Sequence, residues 1–363
     1  ETFDFDITII GAGIVGLAVS YELSKYNYNI LLVEKEESFG KHISSRNSEV
    51  IHSGIYYHLN SLKAKLCVEG NKLLYNFADK YDIQYNNCGK YILGHSESDV
   101  QKLIDLKKNG KRNGVEGIRM VDSNQVLEQE PLINCYKALF IPSTGIIDSH
   151  AIMKKMEYLS KLNGVTQCYN LPVKAIKKYN DKYQVSFRGQ KYKINTKILI
   201  NCAGLWSDKI SSMVGIDKYK IKFCKGDYYK INKYRHEINT LIYPLPGPIS
   251  LGIHTVLHLD GTISFGPNAY YVNELSYVNT LQYKEIFFSE IKKYLNINLE
   301  DINIDFSGIR PKIQNINDEV QDFIIINEKD FGYNNFINLI GIDSPGLTSS
   351  MAIAKYVNNI IKI

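Results

Sequence analysis

Six residues near the start of the chain limit its fold more than anything that follows. Gly11-Ala12-Gly13-Ile14-Val15-Gly16 stand between Asp6-Ile7-Thr8-Ile9-Ile10, which reads as a short buried strand, and Leu17 to Tyr26, whose apolar residues fall on one face of a helix. Asn29 to Glu34 then read as a second strand, closing a βαβ unit of about 30 residues. The three glycines serve different ends. Gly11 permits the tight turn, Gly13 lets backbone amides approach a pyrophosphate, and Gly16 lets the helix pack closely on the strand. The helix N-terminus adds unpaired N–H groups and a partial positive charge. Glu34 is placed to accept ribose hydroxyls and disfavours a 2'-phosphate. This is a dinucleotide fingerprint, and taken alone it does not separate FAD from NAD.

The rest of the chain divides around that unit. A helix is predicted from Ala64 to Tyr81. Val173–Ile176, Tyr183–Phe187 and Lys191–Ile194 read as a three-stranded meander, and Lys197 to Gly204 as a separate buried strand ending in small residues. Between Phe223 and Phe306 the pattern is β-rich, with strands at Gly226–Ile231, Ser250–Leu259 and Thr262–Gly266, a turn at Asp260-Gly261, and one helix from Tyr283 to Leu295. Phe336–Gly341 and Thr348–Ile361 read as a last strand and helix. The predicted fold class is α/β: a discontinuous Rossmann-like domain from residues 1–86, 140–222 and 325–363, and a second domain with a mixed or antiparallel β-sheet from 87–139 and 223–324.

Several function classes are set aside by what is missing. The net charge of +5 is spread along the chain, so nucleic acid is not expected as a partner, although a mildly basic surface suits a small anion. The six cysteines are far apart in sequence, which fits reduced residues and no metal or disulfide framework. The histidines have no ligand spacing and no metal is expected. The apolar run Ile7 to Leu23 is broken by glycines and preceded by Asp4 and Asp6, unlike a signal peptide or a spanning helix.

The end of the chain favours a flavin. Pro345 and Gly346 break the chain, and Thr348-Ser349-Ser350 open a helix whose free N–H groups can stabilise negative charge at the edge of a reduced isoalloxazine ring.

Beyond these local signals, Ser44-Ser45-Arg46-Asn47-Ser48-Glu49-Val50-Ile51-His52-Ser53-Gly54-Ile55-Tyr56-Tyr57 and Ser61 to Gly70 resemble the signature of the L-2-hydroxyglutarate dehydrogenase/oxidase family, within the D-amino-acid-oxidase-like flavoproteins. The likeness continues in order through Asn87-Cys88-Gly89-Lys90, Pro142 to Asp148, Asn201 to Leu205, Gly226 to Tyr229, Gly252-Ile253-His254-Thr255 and Gly266-Pro267-Asn268-Ala269. The interval from Ala269 to Gly308 is shorter than in typical members, and Ser344-Pro345-Gly346-Leu347 stands where many carry Pro-Ala-Ala, which marks a shorter subgroup. The resemblance implies noncovalent FAD held by Gly11, Gly13, Ile14, Val15, Gly16, Glu34, Lys35, Ser45, Arg46, Val173, Ala203, Gly204, Gly346, Leu347 and Thr348. It also implies oxidation of a small anionic 2-hydroxy acid, L-2-hydroxyglutarate foremost, with oxygen or a membrane quinone as electron acceptor. Peripheral membrane contact and a cytoplasmic, or in a eukaryote mitochondrial, location accompany that expectation.

Such a reaction needs a base for the hydroxyl proton and a cation for the carboxylate. His254, in the strand-like Gly252-Ile253-His254-Thr255, is the first candidate base and His52 the rival; Arg310, read as following a strand, is the carboxylate ligand, with Tyr57 beside the substrate. Rival activities are an amino-acid or glycine-type oxidase, a glycerol-3-phosphate dehydrogenase-like enzyme, and a flavin-binding subunit without catalysis.

Overall fold

The computed structural model describes residues 3–246, 252–315 and 318–362. Ser250 and Leu251, the start of one expected strand, lie outside the described residues, as do Glu1, Thr2 and Ile363 at the ends of the expected nucleotide domain.

Among the described residues the largest sheet runs Val173–Tyr179, Lys182–Phe187, Lys193–Asn201, Phe5–Ile10, Ile30–Val33, Thr166–Cys168, with Phe336–Ile340 paired to Lys193–Asn201 and Ile324–Asn327 paired to that strand in turn. Its centre is parallel: Phe5–Ile10 pairs on one side with Lys193–Asn201 and on the other with Ile30–Val33. Parallel strands are covered on both faces, which is why they read as unbroken apolar runs. Ile7 and Ile9 are fully buried in one core with Leu17 of the Ile14–Leu23 helix and Ile353 of the Gly346–Lys362 helix, while Leu199 and Phe336 face a second core with Tyr183 and Val185.

The expected break between the meander and the buried strand is absent, because Lys193–Asn201 is one strand. Asn195 and Thr196, which interrupt the apolar pattern, are where it changes partner: Thr196 pairs with Tyr183 on one edge and Phe5 on the other, and Asn195 donates its N–H to Asp4 Oδ2 at 2.7 Å. The final helix starts at Gly346, two residues early, with the Gly346 N–H donated to the Asp343 carbonyl at 2.6 Å. The helix expected from Tyr283 to Leu295 is reduced to Lys284–Ile291.

Beside a small sheet of Val50–Ile51, Gly145–Ile147 and Tyr85–Asn86, two larger sheets make up the rest. Lys222–Ile231 pairs along its length with Ile302–Lys312, and also with Ile263–Gly266 and Tyr270–Val272; His254–Leu257 extends the sheet beyond Ile263–Gly266, and every pairing is antiparallel. Lys90–Gly94 lies between Lys137–Ile141 and the parallel strand Leu241–Pro244, with Arg119–Asp122 beyond. Arg310 lies inside the Ile302–Lys312 strand rather than after one. The two sheets are tied where Ile242 donates its N–H to Thr255 Oγ1 at 2.7 Å. That seam sets Tyr243 against His254, their ring centroids 3.8 Å apart and their planes 19° apart. No described helix is long and apolar enough to cross a membrane.

Candidate active site

Two neighbouring cavities share the walls Gly13, Ile43, Ser44, Cys202 and Gly204, and together they make a trough across the C-terminal ends of the parallel strands. One end is floored by Gly11, Val33, Glu34, Lys35, Val173 and Ala203. Gly11 has a φ of +106°, and a Cβ on it would meet the Cys202 carbonyl oxygen at 2.5 Å, so only glycine fits the turn. A Cβ on Gly16 would lie 1.9 Å from the Gly11 carbonyl oxygen, which is the close packing the fingerprint demands. Gly13 differs: a Cβ there would meet only Ser44 Oγ, at 3.0 Å, so its bare face is open to the trough. The Gly13 N-cap carries no side-chain cap, while the Ile14 N–H is donated to Ser44 Oγ at 2.9 Å. Glu34 accepts from Ala12 N–H at 2.8 Å and from Glu36 N–H at 3.0 Å, which fixes its carboxylate at the end of the second strand. A glycine face beside a helix N-terminus, a fixed carboxylate and a long channel beyond them fit a dinucleotide from adenosine to flavin.

The other end is walled by Arg46, His52, Tyr228, Tyr243, His254, Arg310 and the 342–347 turn. Arg310 is held by the backbone: Nε donates to the Cys224 carbonyl at 3.5 Å, and Nη2 to those of Lys225 at 3.3 Å and Asn268 at 2.8 Å. Nη1 takes no part in these bonds. Gly226 makes room for the fork, since a Cβ there would lie 2.9 Å from Nη2. His254 is 4% exposed, and its Nδ1 lies 2.8 Å from the Gly252 carbonyl oxygen. A carbonyl only accepts, so Nδ1 carries the hydrogen and Nε2 presents a lone pair. Burial, outweighing the Gly252 bond, pushes the His254 pKa down to about 3, with Lys90 and Arg310 acting in the same sense. His52 falls to about 3 as well, through burial and then the charges of Lys90 and His254. Both imidazoles are therefore neutral in the resting site. The His52 backbone N–H is anchored on Thr348 Oγ1 at 3.0 Å and its Nε2 lies 3.4 Å from Ser344 Oγ.

Most of the expected site residues meet along the trough: Gly11, Gly13, Ile14, Val15, Glu34, Lys35, Arg46, His52, Val173, Ala203, Gly204, His254, Arg310, Gly346 and Leu347 all line it. Four do not. Gly16 packs behind the turn. Ser45 turns its hydroxyl to the Gly40 carbonyl at 2.5 Å, and the neighbouring Ser44 lines the trough in its place. Thr348 is fully buried and braces His52 from behind. Tyr57 is not among the residues that line the trough, and its side chain interacts with Ser344, which is. Sequence reasoning missed Tyr228, Tyr243 and Asp343, which come from strands and turns whose local pattern carries no sign of a cavity. Gly226 stands out in the sequence only as part of a run, although a glycine inside a strand is a signal of close approach.

Residues 6–360 match the model of the family described as DAO, FAD dependent oxidoreductase. The chain is 34% identical to the mitochondrial L-2-hydroxyglutarate dehydrogenase of Arabidopsis thaliana, over 98% of this chain and 83% of that protein. It is 32% identical to the glycerol 3-phosphate dehydrogenase of Caloramator mitchellensis, over 99% of this chain and 74% of that protein. Among solved structures it resembles the L-alpha-glycerophosphate oxidase of Mycoplasma pneumoniae with FAD bound, at a TM-score of 0.88 and 26% identity, covering 99% of this chain and 95% of that one.

Proposed function

Because this chain belongs to the DAO family of FAD-dependent oxidoreductases, we propose that it oxidises the hydroxyl of a small 2-hydroxy acid, L-2-hydroxyglutarate foremost, to the 2-oxo acid. One observation carries the reading. A guanidinium clamped by three backbone carbonyls and an imidazole fixed in its base-competent tautomer line the same cavity. Arg310 Nη1 takes the carboxylate next to the carbinol carbon, and a charge-assisted bond fixes that carbon's orientation. His254 Nε2 takes the hydroxyl proton as the carbon loses its hydride, and the Gly252 carbonyl stabilises the imidazolium through Nδ1. Bound FAD supplies the two-electron acceptor for that hydride. The Tyr243 face against His254 keeps the imidazole plane from turning.

The second reading is glycerol 3-phosphate, favoured by the activities for which the Caloramator and Mycoplasma proteins are named, whose likeness spans 99% of this chain. The two substrates differ in their anion: a carboxylate on the carbinol carbon against a phosphate one carbon further away. The test is anaerobic mixing of the yellow holoenzyme with L-2-hydroxyglutarate, D-2-hydroxyglutarate, glycerol 3-phosphate and amino acids. Bleaching by L-2-hydroxyglutarate at a rate well above the others supports the proposal. Bleaching by glycerol 3-phosphate alone replaces it with the second reading. Admitting oxygen or a soluble quinone afterwards identifies the acceptor by which of them restores the colour.

A further inference from the structure

Lys90 forms no wall of the trough, yet it stands close behind both histidines. It opens the Lys90–Gly94 strand, its side chain is fully buried, and its Nζ has no hydrogen-bond partner among the described residues. An unpaired ammonium in a core costs several kcal/mol, so an ordinary packing position would not keep one. Nζ lies 4.6 Å from the ring centroids of both Tyr56 and Tyr243, and Tyr243 is the ring stacked on His254. Among the described residues three more buried polar atoms have no partner, the hydroxyls of these two rings, Tyr56 Oη and Tyr243 Oη, and Nδ1 of His52, which feels the Lys90 charge. Buried polar groups this close together are ordinarily joined to one another or by bridging water.

The electrostatics of this cluster are one-sided. The groups facing Lys90 are Cys67 from the Leu62–Tyr81 helix, His52 and Tyr56 from the segment after Val50–Ile51, Tyr243 from Leu241–Pro244 and His254 from His254–Leu257, with Arg310 beyond. None is a carboxylate. Burial pushes Cys67 well up, so it stays a thiol. Burial likewise pulls the Lys90 pKa down to about 7, with Cys67 opposing only in part. Near neutral pH, Nζ therefore stands at the boundary between amine and ammonium, and the amine is a proton acceptor.

We propose that Lys90 is the proton store of the site: its Nζ receives, through the cluster of His52 Nδ1, Tyr56 Oη and Tyr243 Oη, the proton that a site histidine takes from the substrate hydroxyl. This rests on the alcohol oxidation proposed above. The substrate O–H bond breaks and its electron pair becomes the second C=O bond as the hydride leaves for FAD. The proton ends in a new N–H bond on Nζ, and the histidine is neutral again. The ammonium so formed sits between two aromatic faces that stabilise a cation. The positive charge thus appears in the protein at the same time as two electrons enter the cavity.

The holoenzyme tests this in two ways. The first is a proton count: anaerobic stopped-flow reduction in weak buffer with a pH indicator, at about pH 8 where the amine predominates. Wild type is expected to bleach its flavin with close to no proton released in that phase. Lys90→Met and Lys90→Arg, which have no titrating amine, should release about one proton per flavin and reduce it about 100-fold more slowly, the lower end of what proton-transfer groups contribute. The wild-type rate should rise with pH through the Lys90 titration, and the variants should lack that inflection. The second is NMR of 15N-lysine-labelled holoenzyme without substrate. The resonance missing in Lys90→Met should titrate near neutrality, whereas an ammonium persisting above about pH 9 overturns the proposal. Equal proton counts in wild type and Lys90→Met also overturn it. If no 2-hydroxy acid bleaches wild type, the substrate reading has failed. The NMR titration, and the proton count with whichever compound does bleach the flavin, still judge Lys90.

Discussion

Lys63 Nζ lies 2.8 Å from Asp343 Oδ1, across 280 residues of sequence, with Lys312 Nζ 2.5 Å from the other oxygen. The trio joins the Leu62–Tyr81 helix, the Ile302–Lys312 strand and the turn into the last helix, so it fixes the turn that walls the flavin end of the trough. Burial works against the charged form of Asp343, but the two ammonium groups outweigh it and hold the carboxyl down to about 2. A folded pKa below the unfolded value means stability that is present above about pH 4 and lost as pH falls through about 2. Asp343→Asn leaves two largely buried lysines facing each other and should cost about 3–5 kcal/mol in urea unfolding at neutral pH. It should also flatten the decline of wild-type stability between about pH 4 and 2. An unfolding midpoint equal to wild type would mean the turn is held by its backbone alone.

Gly13→Val should yield a folded, colourless protein. Its bare face opens on the trough and touches only Ser44 Oγ, so the added side chain enters space the pyrophosphate needs rather than the core. Flavin absorbance per protein, with circular dichroism as the check on folding, measures this. A yellow variant would remove the fingerprint turn from the cofactor site.

Those two positions differ in how visible they are before folding. Gly13 announces itself because strand, turn and helix follow one another locally, and the same holds for Glu34 and the Gly346 turn. Asp343, Tyr243 and Lys90 carry no local sign, since their meaning arises only when distant strands meet. Lys90 opens the apolar run Tyr91-Ile92-Leu93 and would pass for an exposed strand end, yet pairing with Leu241–Pro244 on one edge and Lys137–Ile141 on the other buries it. Small slips show the same limit: Ser44 rather than Ser45 faces the trough, because the 310 turn Ile43–Ser45 sets the direction of each side chain. The Asn195-Thr196 interruption in Lys193–Asn201 misled for a related reason. A strand that changes partner midway needs polar residues where one edge opens.

Arg310→Lys tests the anion clamp. Three carbonyls orient the guanidinium fork, and an ammonium on a flexible stem cannot satisfy them and still reach a ligand. The expected outcome is a 10- to 100-fold fall in kcat/KM, about 1.5–3 kcal/mol, with KM raised and flavin content unchanged. Rates and KM equal to wild type would reduce Arg310 to a strut between strands.

The last prediction separates the two histidines. His254 has the stronger geometric case as base: its Nδ1–H is committed to the Gly252 carbonyl, its plane is fixed by Tyr243, and Nε2 is the free lone pair. His52 is braced through its backbone by Thr348, its Nδ1 has no partner among the described residues, and Nε2 has only the long contact to Ser344. Burial keeps both neutral well below physiological pH, so neither is already protonated when substrate arrives. His254→Asn preserves much of the volume and can still donate to Gly252, but it offers no basic nitrogen. Flavin reduction should slow about 100- to 10,000-fold with FAD still bound. His52→Asn should slow it less, by no more than the roughly 100-fold expected of Lys90→Met, because it interrupts the path to Lys90 but leaves the base in place. The two variants must be measured together by anaerobic stopped flow across pH, since a packing defect would lower both rates without moving either pH profile. Full activity in His254→Asn beside a dead His52→Asn would transfer the base to His52, whose Nε2 would then act across Ser344 and whose Nδ1 opens directly into the cluster around Lys90.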